Sequence, residues 1–268
     1  MMFSDLALSR RLERTEGRAC VEFAEAQRRL YPDSGAEWIE CAGAYAAFNG
    51  VDSPVTQTFG LGIFEELTRA TLDTVERFFL DRSAPVLHEV SPFAGGAALD
   101  LLCSRNYRPV EICNVLYRPV ERPTAEHDSH VTVRVIGPDE AQVWIDVSTK
   151  GWAHELPELR ETLLQLGAIF AARHGSPCFL AELDGKPGAA GVLGIHDKVA
   201  LFGGASTVPE LRRRGLQTTL LNERMRYAFD QGCDLAMMVA VPGSDSQRNA
   251  ERRGFRIAYT RTKWKLYS

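Results

Sequence analysis

Residues 208–217, with the sequence VPELRRRGLQ, restrict the possible folds of this chain more than any other stretch. They indicate the end of a strand, a tight basic turn and the first turn of a helix. Such a junction directs several backbone N–H groups at one point, where the helix dipole adds positive potential. The stretch therefore predicts a binding site for a phosphorylated ligand between a strand and a helix.

Two common phosphate-binding motifs are absent from the sequence. It contains neither GxxxxGK[ST], the P-loop signature, nor GxGxxG, the dinucleotide-binding signature. Nucleotide hydrolysis by a P-loop and dinucleotide binding therefore both lose their main support. The pattern Arg-x-x-Gly-x-Gln, which begins at Arg212, remains as the phosphate-binding signal.

The apolar residues around the turn predict an alternation of helices and strands in the second half of the chain. Strands are predicted at 131–135, 178–183, 188–195, 199–206 and 235–241, with a last pair of strands that ends near Leu266. Helices are predicted at 139–147, 157–174, from 216 to a C-cap at Gly232, and at 246–253. The sequence Asp-Gly-Lys-Pro at 184–187 predicts a hairpin.

The first half of the chain repeats the order of elements of the second half. Without a gap, an offset of 148 residues places Tyr107 on Phe255 and Leu72 on Leu220. We interpret this as an ancient duplication, with domains at 1–126 and 127–268 joined by a polar linker at 121–129. The alternative is two unrelated halves that share a similar spacing of strands, turns and helices.

The sequence STVPELRRRGLQ at 206–217 looks like the acyl-CoA-binding motif of the GNAT superfamily of N-acetyltransferases, usually (Q/R)-x-x-G-x-(G/A). Three features after it resemble that family in the same order: a long helix, the apolar strand at 235–241, and a helix that leads to Gly-Phe at 254–255. The resemblance covers residues 131–268. It implies a mixed α+β and α/β fold of two tandem GNAT-like domains, each a central, mostly antiparallel twisted sheet flanked by helices, with the first domain degenerate.

The resemblance implies that the turn binds the pyrophosphate of acetyl-CoA, which would be a co-substrate. Glycine at 215 would allow close approach of the phosphates, and backbone groups near 207–208 would pair with the pantetheine arm until Pro209 ends the pairing. The side chain at position 217, where the family has a small residue, would have to point away from the phosphates. The predicted cofactor-binding residues are Thr207, Val208, Arg212, Arg213, Arg214, Gly215, Leu216, Gln217 and Asn249.

The first half has no counterpart of the basic turn. At the offset of 148 residues the three arginines and Gly215 fall on Phe64-Glu65-Glu66-Leu67, and acidic side chains repel phosphate. We therefore expect that the first domain does not bind CoA and instead shapes the acceptor pocket or forms an interface.

The general acid of the family is missing from its usual position. Many members carry a tyrosine four residues before the glycine of Gly-Phe, where this chain has Ala250. Three other residues are candidates for contact with the thiol or the pantetheine: Ser246, Asn249 and Tyr259. Helix capping, local backbone bonding and sheet packing, respectively, are the alternative roles of these three residues.

The sequence does not identify a general base either, because the strand at 199–206 carries no carboxylate. The nearby titratable candidates are Glu182, His196 and Asp245. An amine that attacks a thioester needs mainly positioning and deprotonation, so a sparse set of acids and bases is compatible with activity.

Charge and composition exclude several other classes of function. Residues 1–126 carry 13 basic and 19 acidic side chains, whereas residues 127–268 carry 18 and 16, so the acidic first half argues against a nucleic-acid partner. No apolar run suggests a membrane span or a secretory signal. Six scattered cysteines and the isolated pair His127 and His130 predict a cytoplasmic protein without a metal site.

Together these expectations describe an acyltransferase that moves an acetyl group from acetyl-CoA to a primary amine. The acceptor would be a small molecule or a peptide, and its amine would attack the thioester directly in a ternary complex. One alternative is a catalytically silent acyl-CoA-binding or interaction module. Another is transfer of a longer acyl or an aminoacyl group. The sequence indicates neither the acceptor nor the oligomeric state.

Overall fold

The computed structural model describes residues 4–122, 130–154 and 157–267, which form seven α-helices and eleven β-strands. The helices are α1 (Leu6–Leu30), α2 (Arg69–Leu80), α3 (Gly95–Ser104), α4 (Ala141–Ala153), α5 (Arg160–Ala171), α6 (Leu216–Asp230) and α7 (Asp245–Arg252). The strands are β1 (Glu37–Cys41), β2 (Ala44–Phe48), β3 (Gln57–Phe59), β4 (Leu87–Val90), β5 (Tyr107–Pro119), β6 (Val131–Val135), β7 (Cys178–Leu183), β8 (Lys186–His196), β9 (Val199–Thr207), β10 (Leu235–Ala240) and β11 (Arg256–Leu266). The chain divides into two compact units, Met1–Arg118 with Met237–Ser268, and Pro119–Ala236.

The unit Pro119–Ala236 is built on four antiparallel strands in the order β6-β7-β8-β9. Two-residue turns join the last three of these strands. Asp184 (φ 49°) with Gly185 (φ 77°), and Asp197 (φ 45°) with Lys198 (φ 62°), are all left-handed. This conformation matches the twist of a hairpin, so the turn predicted at 184–187 is confirmed.

Helices cover both faces of this sheet. The Sγ of Cys178 lies 3.8 Å from the carbonyl oxygen of Phe170 on α5, whereas the ring of the next residue, Phe179, packs edge-on against Tyr227 of α6. Successive side chains of a strand point to opposite faces, so α5 and α6 lie on opposite sides of the sheet. On the α4 side, the indole of Trp144 is fully buried and donates to the carbonyl of Phe179.

The other unit contains the strands β1-β2-β3-β4-β11-β5. All neighbours in this order are antiparallel except β3 and β4, which form a short parallel pair. Tyr45 and Phe59, which are register partners, pack against α1 at Gly17. The alternate residues of β2, including Ala46 and Phe48, belong to the apolar core with α2 and α3.

The offset of 148 residues relates the elements of the two halves of the chain. It moves α2 onto residues 217–228, within α6, and β4 onto residues 235–238, within β10. It also moves α3 onto residues 243–252, which contain α7, and β5 onto residues 255–267, which contain β11. The repeated order of elements in the sequence therefore corresponds to a repeated order of elements in the fold.

The predicted pair of strands at the C-terminus is wrong, because residues 256–266 form the single strand β11. The corresponding segment of the first half is likewise one strand, β5. The register between them shifts between Ile257 and Tyr259 and again between Lys263 and Trp264. Such irregularities bend a strand without ending it.

The last strand of the chain pairs with strands from the first half of the sequence. β11 pairs with β4 on one side and with β5 on the other, so it lies inside the unit that contains residues 1–118. The predicted domain boundary between residues 126 and 127, and most of the predicted linker at 121–129, lie outside the described residues. His127 lies there as well.

None of the described helices combines the length and apolar character needed to cross a membrane. Among the described residues, no group of three or more His, Cys, Asp or Glu side chains is close enough to hold a metal ion.

Candidate functional site

The turn between β9 and α6 has an unusual backbone conformation. After β9 ends at Thr207, a short 3-10 turn covers Pro209–Leu211, and α6 begins at Leu216. Between them, Arg213 (φ 62°) and Gly215 (φ 85°) are both left-handed. Glycine adopts this conformation without strain, whereas an arginine does so only where its surroundings hold it there.

Two buried leucines fix the turn onto β8. Leu211 and Leu216 both lie against Gly188. A Cβ at Gly188 would lie 2.5 Å from Cδ1 of Leu211 and 2.7 Å from Cδ2 of Leu216. The glycine in β8 therefore provides the space in which the leucines anchor the two ends of the basic turn.

The backbone N–H groups of the turn remain open to a ligand. Within the part of the chain that the structure describes, no hydrogen bond is formed by the N–H groups of residues 213–217. Gly215 is the N-cap of α6, and it has no side chain to satisfy them. Residues 212–215 and 217 are exposed. The helix start thus presents several unsatisfied donors together with its positive dipole end, which is an arrangement that binds anions.

The three arginines of the turn have different surroundings. Arg212 donates from Nε to the carbonyl of Thr207 at 3.3 Å and from Nη2 to the carbonyl of Gly151, on α4, at 3.2 Å. It therefore ties the turn to the ends of β9 and α4. Arg213 and Arg214 make no hydrogen bond or ion pair with any residue in the described ranges, so their charges are available to a ligand.

The side chain of Gln217 is turned back to β9. Its Nε2 donates to Oγ1 of Thr207 at 2.6 Å. Because the side chain of Gln217 is held at Thr207, it does not cover the backbone N–H of the same residue. The larger residue at this position, where the GNAT motif has a small one, is therefore accommodated by a contact within the unit.

The backbone of Val208 is already engaged inside the unit. Its N–H donates to the carbonyl of Gly188 at 2.9 Å, and its carbonyl accepts from the N–H of Leu211 at 3.0 Å. The carbonyl of Thr207 accepts from Arg212. These bonds leave Val208 with no N–H for a pantetheine arm, which limits the pairing expected at 207–208.

Residues 141–255 match the family model described as "Acetyltransferase (GNAT) family". This match spans α4 to α7 and includes the open turn at the start of α6. The segment is similar in sequence to the GNAT family.

Solved structures extend the similarity over most of the chain. A GCN5-related N-acetyltransferase from Kribbella flavida is 16% identical, with a TM-score of 0.66, over 94% of this chain and 95% of that one. One from Sphaerobacter thermophilus is 16% identical, with a TM-score of 0.56, over 84% and 77%. A tandem GNAT protein from the clavulanic acid biosynthesis pathway is 14% identical, with a TM-score of 0.55, over 84% and 79%. No curated protein matches. At these identities the similarity shows the fold, which is that of tandem GNAT domains.

The counterpart turn in the first half of this tandem GNAT fold is filled by its own side chains. Phe64 occupies the position that corresponds to Arg212, and its ring packs between Gly43 and Gly60. The guanidinium of Arg14, on α1, lies 4.0 Å from the centre of that ring. The helix that follows, α2, is capped by the hydroxyl of Thr68, which accepts from the N–H of Thr71.

The three candidates for contact with the thiol lie in the unit that contains residues 237–268. Ser246 and Asn249 are exposed on α7, whose N-cap is the hydroxyl of Ser244. Capping, the alternative role for Ser246, therefore belongs to Ser244. Ala250, which stands in place of the family's tyrosine, is buried.

The third candidate, Tyr259, is a buried residue of β11. Its hydroxyl donates to Oε1 of Glu13 on α1 at 2.9 Å. Burial, together with the nearby carboxyl of Glu13, raises the pKa of Tyr259 well above its usual value. This environment makes the phenol a weaker acid than a free tyrosine.

The candidates for general base have partners of their own. Glu182 pairs with Arg134 at 3.1 Å, and Asp245 pairs with Arg248 on the surface of α7. His196 lies 3.3 Å from the carboxylate of Asp197 in the turn before β9. β9 then runs nine residues to Thr207, so His196 stands about 25 Å along the strand from the start of the basic turn.

Sequence reasoning missed one residue that contacts the same strands, Arg224. It lies on the apolar side of α6, four residues from Leu220 and four from Ala228. A charged residue at the spacing of a buried helix face is a signal that the sequence contains, but its partners become apparent only when the sheet is assembled.

Proposed function

We propose that the protein is an acetyl-CoA-dependent N-acetyltransferase that uses the turn at 212–217 to bind the pyrophosphate of its co-substrate. The observation that carries the proposal is the contrast between two equivalent helix starts. In α2 the hydroxyl of Thr68 caps the N–H of Thr71, whereas α6 begins at a left-handed glycine with open N–H groups and two arginines nearby that have no partner among the described residues. An open, basic helix start is suited to a polyanionic ligand.

In the proposed reaction the nitrogen of a primary amine attacks the carbonyl carbon of the thioester. The C–N bond forms, the C–S bond breaks, and the sulfur leaves as a thiolate that takes up a proton, while the nitrogen loses one. No step requires a covalent intermediate on the enzyme. The contribution of the turn is to hold the acyl donor in a fixed place, which lowers the entropic cost of bringing donor and amine together.

The acceptor is proposed to be a primary amine on a small molecule or a peptide. For proton transfer we retain Ser246, Asn249 and Tyr259 as proposals, with Asn249 also proposed to contact the cofactor. The two exposed residues on α7 have the accessibility that contact with a ligand requires, whereas Tyr259 is buried.

A cytoplasmic location is proposed because all six cysteines are free thiols.

A second function, that of a silent acyl-CoA-binding module, has specific support. Ala250 is buried where the family's tyrosine stands, and β9 carries no carboxylate. The two functions differ in turnover but not in binding. Calorimetry with acetyl-CoA, followed by measurement of free CoA thiol against a panel of primary amines, separates them. Binding of one acetyl-CoA per chain with thiol release supports the transferase, binding without release on any amine supports the silent module, and no binding refutes both.

A matched pair of glycine variants tests the turn itself. Gly215 and Gly232 stand at the two ends of α6, and both are left-handed, with φ values of 85° and 73°. Alanine at either position is expected to cost about 1 kcal/mol of unfolding free energy, because an L-residue is strained there. Only Gly215→Ala should also weaken acetyl-CoA binding, since it brings a methyl group to the phosphates. Equal affinity in both variants would argue against the proposed site.

A further inference from the structure

Arg224 is a buried cation that makes no ion pair with a carboxylate in the described part of the chain. Its side chain is among the largest that are fully buried, and burial lowers its pKa to about 10. The neighbouring Glu223 pairs with Arg226 instead. A buried charge is costly unless hydrogen bonds satisfy it, so the partners of Arg224 are informative about its role.

One partner is the carbonyl oxygen of Leu220 on the same helix, which lies 3.4 Å from Nε, and the others are carbonyl oxygens on two different strands. Nη1 of Arg224 lies 3.1 Å from the carbonyl oxygen of Val192 on β8 and 3.3 Å from that of Gly203 on β9. Val192 and Gly203 are register partners, so one nitrogen bridges a cross-strand pair. The ring of Phe202, next to Gly203, lies 5.1 Å from the guanidinium carbon and contributes a cation–π contact.

The bridged pair is adjacent to a bulge in β9. Between the pairs Ala190–Ser206 and Val192–Gly203, β8 has one residue and β9 has two, Gly204 and Ala205. Gly204 is left-handed, with φ 57°, as the first residue of a glycine-type bulge is. A bulge removes backbone groups from the ladder and bends the strand. Arg224 therefore satisfies carbonyls at the point where the ladder between β8 and β9 is interrupted.

The residue opposite the bulge makes room for the guanidinium. A Cβ built at Gly191 would lie 3.1 Å from both Cζ and Nη1 of Arg224. This separation is tighter than ordinary van der Waals contact, so a side chain there would push the guanidinium by a few tenths of an ångström and lengthen the hydrogen bonds of the bridge. Gly194, three residues further along the same strand, has its nearest such contact at 3.6 Å, with Nη2 of Arg173, and tolerates a methyl group.

The bulge precedes the basic turn on the same strand. Ala205 is two residues, about 7 Å, before the end of β9. Because Val208 is engaged within the unit, the bulge is the stretch of β9 nearest the turn where the ladder with β8 is broken. A ligand held by its pyrophosphate at the turn and extended back along β9 would meet these groups.

We propose that Arg224 is a positioning residue for the pantetheine and thioester part of acetyl-CoA. It bridges Val192 and Gly203, fixes the bulge at Gly204 and Ala205, and so places the backbone groups that this part of the ligand contacts. The inference rests on the proposed function. It differs from the role of the basic turn, because the turn binds the nucleotide end of the same ligand.

The test compares two ligands on the full-length protein by calorimetry. Acetyl-CoA contains the pantetheine and thioester, whereas 3′-phosphoadenosine 5′-diphosphate contains only the nucleotide end. Arg224→Met removes the bridge, and Gly191→Ala displaces it without altering the arginine. Both variants are expected to lose affinity for acetyl-CoA by about tenfold or more while their affinity for the nucleotide stays within about twofold. Gly194→Ala is the matched control and should bind both ligands as the wild type does.

Each of the other possible outcomes contradicts either the role of Arg224 or the proposed function. Loss of affinity for both ligands in parallel would show that Arg224 only stabilises the fold, and unchanged acetyl-CoA affinity in Gly191→Ala would also overturn the inference. If Arg224→Met does not fold, Gly191→Ala decides. A wild-type protein that binds neither ligand refutes the proposed function, and the inference with it.

Discussion

The three consecutive arginines of the basic turn show how neighbouring residues of one type acquire different roles. Arg212 donates hydrogen bonds to the carbonyls of Thr207 and Gly151, so it holds the turn in place. Arg213 and Arg214 are exposed and have no partner within the described ranges. The first arginine is therefore expected to affect the stability of the turn, and the other two its affinity for phosphate.

Alanine variants separate these two effects. Arg212→Ala is expected to lower the free energy of unfolding by about 1–3 kcal/mol, because it removes charged hydrogen bonds to two carbonyl groups. The double variant Arg213→Ala, Arg214→Ala should change the unfolding free energy by less than about 0.5 kcal/mol. It should nevertheless weaken acetyl-CoA binding, and reduce its dependence on salt, since two exposed charges are lost. Urea unfolding and calorimetry at two salt concentrations measure both effects. A double variant with the salt dependence of the wild type would contradict this division.

The sequence alone predicts a phosphate-binding turn, which stays a prediction, but it could not assign these roles to the three arginines. The prediction needs only local information, namely a strand end, a glycine and a helix start. The role of Arg212 depends on the carbonyl of Gly151, sixty-one residues earlier, which reaches the turn only after α4 has packed on the sheet. The same holds for Arg224, which donates to carbonyls on two strands in addition to that of Leu220 on its own helix.

A second residue with informative surroundings is Glu13, which is fully buried on α1. Its Oε1 accepts from Tyr259 and Arg261, while its Oε2 has no partner among the described residues. Arg261 also pairs with Glu16 and Glu89, so one cation is shared by three carboxyl groups. Burial, offset only in part by Arg261, raises the pKa of Glu13 from 4.5 to about 7.

This raised pKa predicts a pH dependence of stability with a definite sign. Between about pH 4.5 and 7 the folded protein holds a proton on Glu13 that the unfolded chain has released, so the stability contributed by Glu13 is lost as pH rises through this window. Glu13→Gln keeps the neutral shape and cannot titrate. The stability of the wild type minus that of the variant should therefore fall from pH 5 to pH 8, as measured by urea unfolding at fixed salt. A pH-independent difference would show that Glu13 is ionised throughout.

At the scale of elements, the duplicated helices α2 and α6 differ most at their first turns. Thr68 caps α2 through its hydroxyl, and the counterpart start of α6 has Gly215 and no cap. A capped helix has fewer donors for an anion, whereas an uncapped one is less stable until a ligand binds. At this helix start the first half of the chain therefore gains internal stability, whereas the second half leaves open the donors that we propose bind the cofactor.

Removal of the cap on α2 should affect stability alone. Thr68→Ala is expected to cost about 1 kcal/mol of unfolding free energy, as loss of a threonine N-cap usually does. Its acetyl-CoA affinity should equal that of the wild type, because the proposed site lies at α6. Thr74→Ala, an exposed substitution in the interior of the same helix, is the control and should cost less than Thr68→Ala. Reduced acetyl-CoA affinity in Thr68→Ala would mean that the first half takes part in binding.

Elements defined by local signals were predictable. The turn at 184–187, the C-terminal glycine of α6 and the apolar strand β10 all follow from short-range chemistry. The single strand β11 was not predicted, because its length is set by pairing with β4 and β5, which are more than 130 residues away in the chain. The bulge in β9 was missed for a similar reason, since a bulge is a property of two strands.

At the scale of the whole molecule, the repeat in the sequence and the packing of the strands divide the protein at different places. Duplication divides the sequence near its middle, but the last strand pairs between β4 and β5 and belongs to the unit of residues 1–118. A strand inserted between two others supplies hydrogen bonds on both of its edges. Without β11, both β4 and β5 would expose an unpaired edge and part of the core.

The folding of fragments tests this division. Residues 1–122 expressed alone should not fold cooperatively, because they lack the strand between β4 and β5. The same residues joined by a flexible Gly/Ser linker to residues 237–268 should show a single cooperative urea transition, since the fusion contains every strand of that unit. Far-UV circular dichroism during urea titration distinguishes the two, and a fusion ending at residue 254, which keeps α7 but lacks β11, is the matched control. Cooperative unfolding of the shorter fusion would show that β11 is dispensable and that the unit is independent of the C-terminus.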